Sequence, residues 1–210
     1  MQVVSTNISE PKTVVWRGRE IQTGIYKQPI KGSIYLGKED VLNDAVVDRK
    51  NHGGEYKACY LFGANHYAYW KLKYPDLDWG WGMFGENLTF DTLDENALQV
   101  GAVYGLGSAR VQLTEPRQPC FKLGIKFGTQ KVIIEFLEYG HPGTYVKILK
   151  EGEVSVGDSL ELLTAGPNSF TVAQYNTLMN QKEKDKGLVA LALANNSIRE
   201  SKRKSLQKHL

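Results

Sequence analysis

A mainly β fold, barrel or sandwich, with interspersed helices and a small helical C-terminal unit is what this 210-residue sequence predicts. Three observations carry that expectation. Short β-favouring runs recur through the first two-thirds of the chain, clusters of Gly, Asn, Asp and Pro separate them, and the composition turns to Ala, Leu, Lys, Asn and Gln after "TAGPNS". Many short strands joined by glycine-bearing turns favour a barrel or sandwich over a parallel α/β sheet.

In chain order, strands are expected over "QVVSTNI", "VVWRG", "EIQTGIY", "DAVVD" and "KACYLF", then over "AVYGLGSARVQL", "TYVKIL" and "SLELL". Each is rich in β-branched or aromatic residues and bounded by turn formers. "LQVGAVY" and "VSVGDSL" echo each other, an apolar pair around a turn glycine, Gly101 and Gly157, and suggest two similar barrel corners. In "GANHYAYWKLKYP" the aromatics Tyr67, Trp70 and Tyr74 recur at spacings of three and four, one face of a packing helix that ends before Pro75. "TQKVIIEFLEYG" reads as a helix from an N-capping Thr129 to Gly140, with Val132, Ile133, Phe136 and Leu137 turned inward. Beyond a boundary near Pro167, "TVAQYNTLMNQ", "GLVALALA" and "SIRESKRKSLQKHL" read as three short helices. The expected organisation is a β domain over residues 1–166 and a helical domain over residues 167–210.

Composition excludes several classes. With 41% hydrophobic and 23% charged residues the chain folds rather than remaining disordered. No window approaches the roughly 18–20 apolar residues of a membrane span. The first dozen residues lack a charged leader followed by an apolar stretch, so a cytoplasmic protein with no membrane partner is expected. Two cysteines, Cys59 and Cys120, are best read as free thiols, since a chain of this size needs no bridge. The net charge of +3 is uneven. Residues 182–210 hold eight Lys or Arg against three Asp or Glu, a surplus of +5 that leaves the remainder at −2. No basic stripe is interleaved with aromatics, which argues against nucleic acid as a partner.

Chemistry concentrates in three stretches. In "LTEPRQPCFKLG", Pro119 restricts Gln118 to extended geometry and fixes the approach of Cys120, while Arg117 and Lys122 bring positive charge to it. Cations raise the thiolate fraction, and a thiolate is a nucleophile or a soft metal ligand. Cys59, in the strand "KACYLF" with no cation nearby, reads as a small core hydrophobe. In "DRKNHGGEYKA", paired glycines permit close backbone approach, and Arg49 and His52 offer donors to an oxyanion or phosphate. In "MFGENLTF", Glu86 and Asn87 end a glycine-rich loop. No G-x-S-x-G elbow, H-E-x-x-H helix, Walker loop or dinucleotide fingerprint is present.

Taken together and in this order, "NHGGEYKA", "FGENLT", "PRQPCFKL" and "GTYVKILKEGEVSVGD" resemble the MOSC-domain family, named for the C-terminal domain of molybdenum cofactor sulfurase, and its bacterial YiiM-like branch. The similarity covers roughly residues 31–163 and extends to a helical C-terminal domain. It implies a closed, β-barrel-like MOSC fold that binds the molybdenum cofactor (molybdopterin), with the family's cysteine falling on Cys120. It also implies reduction of small N-hydroxylated compounds, including hydroxylaminopurine base analogues, with electrons from a separate redox protein of ferredoxin or flavoprotein type. Where the branch commonly shows Gly-Asp ahead of the histidine loop, this chain has Asn43-Asp44, and Asp44 is not assigned a role. On this resemblance Cys120 supplies a thiolate to molybdenum. Arg49, His52, Arg117 and Lys122 pair with the cofactor phosphate or pterin oxygens, and Asn87 pairs with pterin nitrogens. Two other classes stay open: a cofactor or sulfur carrier in which Cys120 holds a persulfide, and a non-catalytic binder that uses the basic tail.

Overall fold

The computed structural model describes residues 1–210, with the side chains of all but residues 50 and 51. The chain opens with β1 (Val3–Ile8), followed by a hairpin of β2 (Lys12–Trp16) and β3 (Arg19–Thr23). Its two-residue turn, Arg17-Gly18, has positive φ at both positions, the turn whose twist matches that of paired strands. Next come β4 (Gln28–Pro29), β5 (Ile34–Leu36), α1 (Arg49–His52), β6 (Cys59–Gly63), α2 (Tyr67–Lys73) and β7 (Leu88–Phe90). Then follow β8 (Val103–Leu106), β9 (Ala109–Pro116), α3 (Phe121–Lys126), α4 (Lys131–Tyr139), β10 (Thr144–Lys150), β11 (Gly152–Val154) and β12 (Glu161–Thr164). The chain ends in α5 (Val172–Asn180), α6 (Lys186–Ala194) and α7 (Glu200–Gln207).

Eight strands form one mixed sheet in the order β12-β8-β9-β10-β6-β7-β1-β4, antiparallel except for the β6–β7 pair. The sheet is not a closed barrel, contrary to the expectation: among the described residues no ladder joins its two edges. The nearest approach to closure is a few backbone bonds, Val3 N to Asp158 O at 2.9 Å and Gly157 N to Val3 O at 2.8 Å. They come from the turn before β12, together with Leu160 N to Met1 O at 3.0 Å and an isolated bridge between Gln2 and Ser159, and further along β1 the same side is taken by β4 at Asn7 and Ile8. In the two echoing segments Gly101 and Gly157 are both left-handed and lie shortly before β8 and β12, which pair with each other.

Period-two alternation divides the core. Along β6, Cys59 and Leu61 face one apolar cluster while Tyr60 and Phe62 face another. The first cluster is mainly aliphatic and runs into Phe170, Val172, Leu178, Val189 and Leu206 of the C-terminal segment, so the three last helices share the core of the sheet. The second is aromatic, with Trp70, Phe84, Phe127 and Phe136 fully or nearly fully buried. Cys59 is a packed hydrophobe, and its burial pushes the thiol pKa up. Cys59→Ala should therefore cost about 1 kcal/mol in a urea titration and leave ligand binding at Cys120 unchanged; lost binding at full stability would reverse the roles of the two cysteines.

Two expected elements differ. Residues 44–48 form no strand, because Asn43 takes a left-handed turn and Asp44 is pinned by its own side-chain partners. Helix α4 begins at Lys131 with Gln130 at its boundary, and Thr129 accepts from the Lys131 N–H at 3.3 Å rather than capping the helix.

Candidate active site

Cys120 stands half-buried at the N-terminal boundary of α3, with extended backbone (φ −125°, ψ 168°) and no capping bond from its side chain. Its loop leaves β9 and is tied to the C-terminal helices by a bond from Gln118 Nε2 to Asn176 Oδ1 at 3.4 Å. The thiol lines a cavity together with His52, Lys57, Tyr60, Arg117, Lys122 and Tyr145. A second wall comes from the end of β3 and residues 44–48. Gly24 makes that wall possible, since a Cβ there would lie 1.9 Å from the Ala45 carbonyl oxygen.

The cavity is cationic and underpaired. Arg117 is buried between the Tyr60 and Phe136 rings, its guanidinium carbon 5.3 and 5.2 Å from their centroids. Its Nη1 has no hydrogen-bond partner among the described residues, and no carboxylate pairs with it there. A buried guanidinium without an anion is costly, so this arrangement calls for an anionic ligand. His52 is lowered to about 4 by burial first, then by the charges of Arg117, Lys122 and Lys57. It is a neutral imidazole at physiological pH, and an anion in the cavity would raise it again. Burial also lowers Lys57.

Lys27 and Asp44 form a buried ion pair on the opposite wall. Asp44 accepts from Ser9 N at 3.0 Å and from Asn87 Nδ2 at 2.9 Å, while Asn87 Oδ1 accepts from Tyr60 N at 3.2 Å. Asn43 has φ 63°, a conformation that glycine takes freely and asparagine tolerates, so Asn can stand where a glycine would put Asp44 in the same place. Glu86 is fully buried and organises its loop by accepting from Gly82 N, Phe84 N and Thr89 Oγ1 at 2.9, 3.1 and 2.9 Å.

A second polar cluster lies apart from the cavity. Glu95, fully buried, accepts from Gly143 N at 2.9 Å, and its Oε2 lies 3.0 Å from His141 Nδ1 and 3.7 Å from His66 Nε2. The atoms are close enough for a metal ion, but the two imidazoles stack at 4.4 Å with planes 24° apart. Imidazole lone pairs lie in the ring plane, so stacked rings do not converge on one ion. The cluster is a hydrogen-bonded buckle that closes the α4–β10 loop. Burial alone would raise Glu95, but the bonds from His141 and His66 outweigh it and hold the carboxyl at about 2, while Glu95 raises His141. The Glu95 contribution is complete above pH 4.5 and lost as pH falls toward 2; that of His141 is complete below pH 6.5 and lost as pH rises past its raised value. Glu95→Gln should cost about 1–3 kcal/mol at pH 7 and flatten the acid limb of stability between pH 4.5 and 2. Urea titrations at pH 7 and pH 3 check this, and an acid limb identical to wild type would exclude the buckle.

The MOSC domain family matches residues 48–161, more than half of the chain and the part that carries His52, Asn87, Arg117 and Cys120. The chain belongs to that family. Over 98% of its length this MOSC protein is 36% identical to YflK of Bacillus subtilis strain 168, 93% of which it spans. Over 82% of its length it is 29% identical to a protein named Reductase from Gibberella moniliformis, of which it spans 31%. The crystal structure of YiiM from Geobacillus stearothermophilus matches 100% of the chain and 98% of its own length at 29% identity, with a TM-score of 0.82, in line with a YiiM-like MOSC fold.

Of the residues singled out in the sequence, the MOSC cavity brings together Cys120, His52, Asn87, Arg117 and Lys122. Arg49 stays outside it. Its half-exposed guanidinium turns to Asp40 at 2.6 Å and Glu39 at 3.3 Å on the surface. Asn87 lines the cavity with its amide already engaged by Tyr60, Asp44 and the Asn7 carbonyl. Sequence reasoning passed over Lys27, Lys57, Tyr60 and Tyr145, and left Asp44 without a role. The signal available for Lys57 was its place in "GGEYKA"; Tyr60 and Tyr145 became visible only once β6 and β10 were paired, Tyr60 opposite Tyr145.

Proposed function

We propose that this MOSC protein holds the molybdenum cofactor in the Cys120 cavity and reduces small N-hydroxylated compounds of the hydroxylaminopurine type, with electrons from a ferredoxin- or flavoprotein-type partner. The observation that carries the reading is the buried Arg117 whose Nη1 is unpartnered, beside a half-buried thiol. The donor set fits the group. Cys120 offers soft sulfur to the metal, and Arg117, Lys122 and Lys57 offer cations to phosphate or pterin oxygens. When bound, the cofactor supplies the two-electron chemistry that takes R–NHOH, two electrons and two protons to R–NH2 and water. Arg117 is preset by its two aromatic neighbours, so little order is lost on binding. His52, neutral when the cavity is empty, gains basicity beside an anion and can hold a proton at a ring nitrogen for the leaving oxygen. Arg49 would have to leave Asp40 and Glu39 to join them. The fungal relative named a reductase supports the reaction class.

The test is elemental and pterin analysis of protein purified from molybdate-fed, cofactor-competent cells, followed by a hydroxylaminopurine assay with a chemical electron donor. Stoichiometric molybdenum and pterin with amine formation is expected. Metal and pterin without turnover would make the protein a carrier, and absence of both would end the proposal.

A further inference from the structure

The C-terminal segment reaches toward the cavity through one side chain. Glu115 is buried on β9, two residues before Arg117, and its Oε1 serves two cations. Arg199, at the N-terminal boundary of α7, makes a tight ion pair to it through Nη2, and Lys57 Nζ lies 3.4 Å from the same oxygen. Lys57 lines the cavity and Arg199 does not. Each cation is also set against a ring: Arg199 lies 5.3 Å from the centroid of Tyr56, Lys57 5.6 Å from that of Tyr145.

Charge counting gives the consequence. Two cations on one carboxylate leave the triad at +1; without Arg199 the remaining pair would be neutral, and among the described residues Lys57 alone would face Glu115. We infer that Arg199 is a positioning residue for the cavity: by taking most of the Glu115 charge it loosens the hold of Glu115 on Lys57 and keeps the Lys57 ammonium directed toward an anion bound beside Cys120. This rests on the cavity being an anion site, as proposed above. The groups that act on Lys57 are consistent with it. Burial lowers its pKa most, Arg199 and Lys202 lower it further, and Glu115 opposes them. A helical appendage that shares the core of the sheet thus also sets the potential of the site.

The pairing is tested on the full chain by titrating the Lys57 side chain by NMR and by measuring inorganic phosphate binding calorimetrically. Wild type, Arg199→Gln, Arg199→Lys, Glu115→Gln and the Arg199→Gln/Glu115→Gln double variant are compared, each checked for cooperative unfolding. Arg199→Gln should raise the Lys57 pKa by ~1 unit, the scale of a strengthened neighbouring opposite charge, and weaken phosphate several-fold. Arg199→Lys should restore most of both. In the Glu115→Gln background the same change should move Lys57 and phosphate binding much less, because the shared carboxylate is gone. An unmoved Lys57 in Arg199→Gln overturns the inference, as does an equal effect in both backgrounds, which would reduce Arg199 to a distant charge. If wild type binds no phosphate, the anion-site reading fails while the Lys57 titration still decides the pairing.

Discussion

Cys120→Ser is expected to abolish molybdenum retention and to lower reductase activity by roughly 10²-fold or more, while the fold survives. Loss of groups that merely orient a metal ligand already costs about 10–100-fold, and here the proposed ligand itself changes from soft sulfur to a hard hydroxyl. Stability should hardly respond. The thiol is half-buried, caps no helix end and lies outside both apolar clusters, so serine leaves no cavity and strands no partner. The measurement pairs metal and pterin content with a urea titration of the same preparation. Full molybdenum occupancy in Cys120→Ser would remove the thiolate from the proposal; parallel loss of metal and stability would make the cysteine a packing residue.

Much of the fold was legible because its signals are local. The continuous β-favouring run in "KACYLF" indicated β6, and the Tyr67, Trp70, Tyr74 spacing indicated α2. What failed was non-local. "DAVVD" has strand composition, but residues 44–48 are spent on the cavity wall, where Asp44 meets Ser9, Lys27 and Asn87 from three distant segments. Closure of a barrel is likewise a property of strand edges that no single run encodes. The site divides in the same way. Cys120, Arg117 and Lys122 were readable because one six-residue stretch, the loop after β9 and the first turn of α3, holds them all, and His52 because glycines follow it directly. Arg49 has the same local signature as His52, yet Asp40 and Glu39 take its charge, a competition visible only when the preceding loop is folded. Lys57 and its link through Glu115 to Arg199 span most of the chain, and no sequence window contains them.

Arg117→Met should leave the empty protein as stable as wild type or more stable, by about 1–3 kcal/mol, while weakening cofactor retention by about 1.5–3 kcal/mol. The opposite signs follow from what Arg117 lacks. A buried charge loses several kcal/mol of hydration, and at this position no carboxylate among the described residues forms an ion pair with it, Glu86 acting only from a distance. The two flanking rings return part of it, about 2 kcal/mol or more through cation–π attraction at a desolvated site. Methionine fills the slot between Tyr60 and Phe136 with a flexible apolar chain that packs well on aromatic faces, so the desolvation cost vanishes and little contact is lost. The ligand, however, loses a charge-assisted bond from a donor that was already ordered. A residue kept for packing would show the reverse, lower stability with unchanged retention. Urea titration of metal-free protein and molybdenum content of loaded protein separate the two cases, and a destabilised Arg117→Met variant with full metal occupancy would make Arg117 a structural post and leave the cavity without its anion anchor.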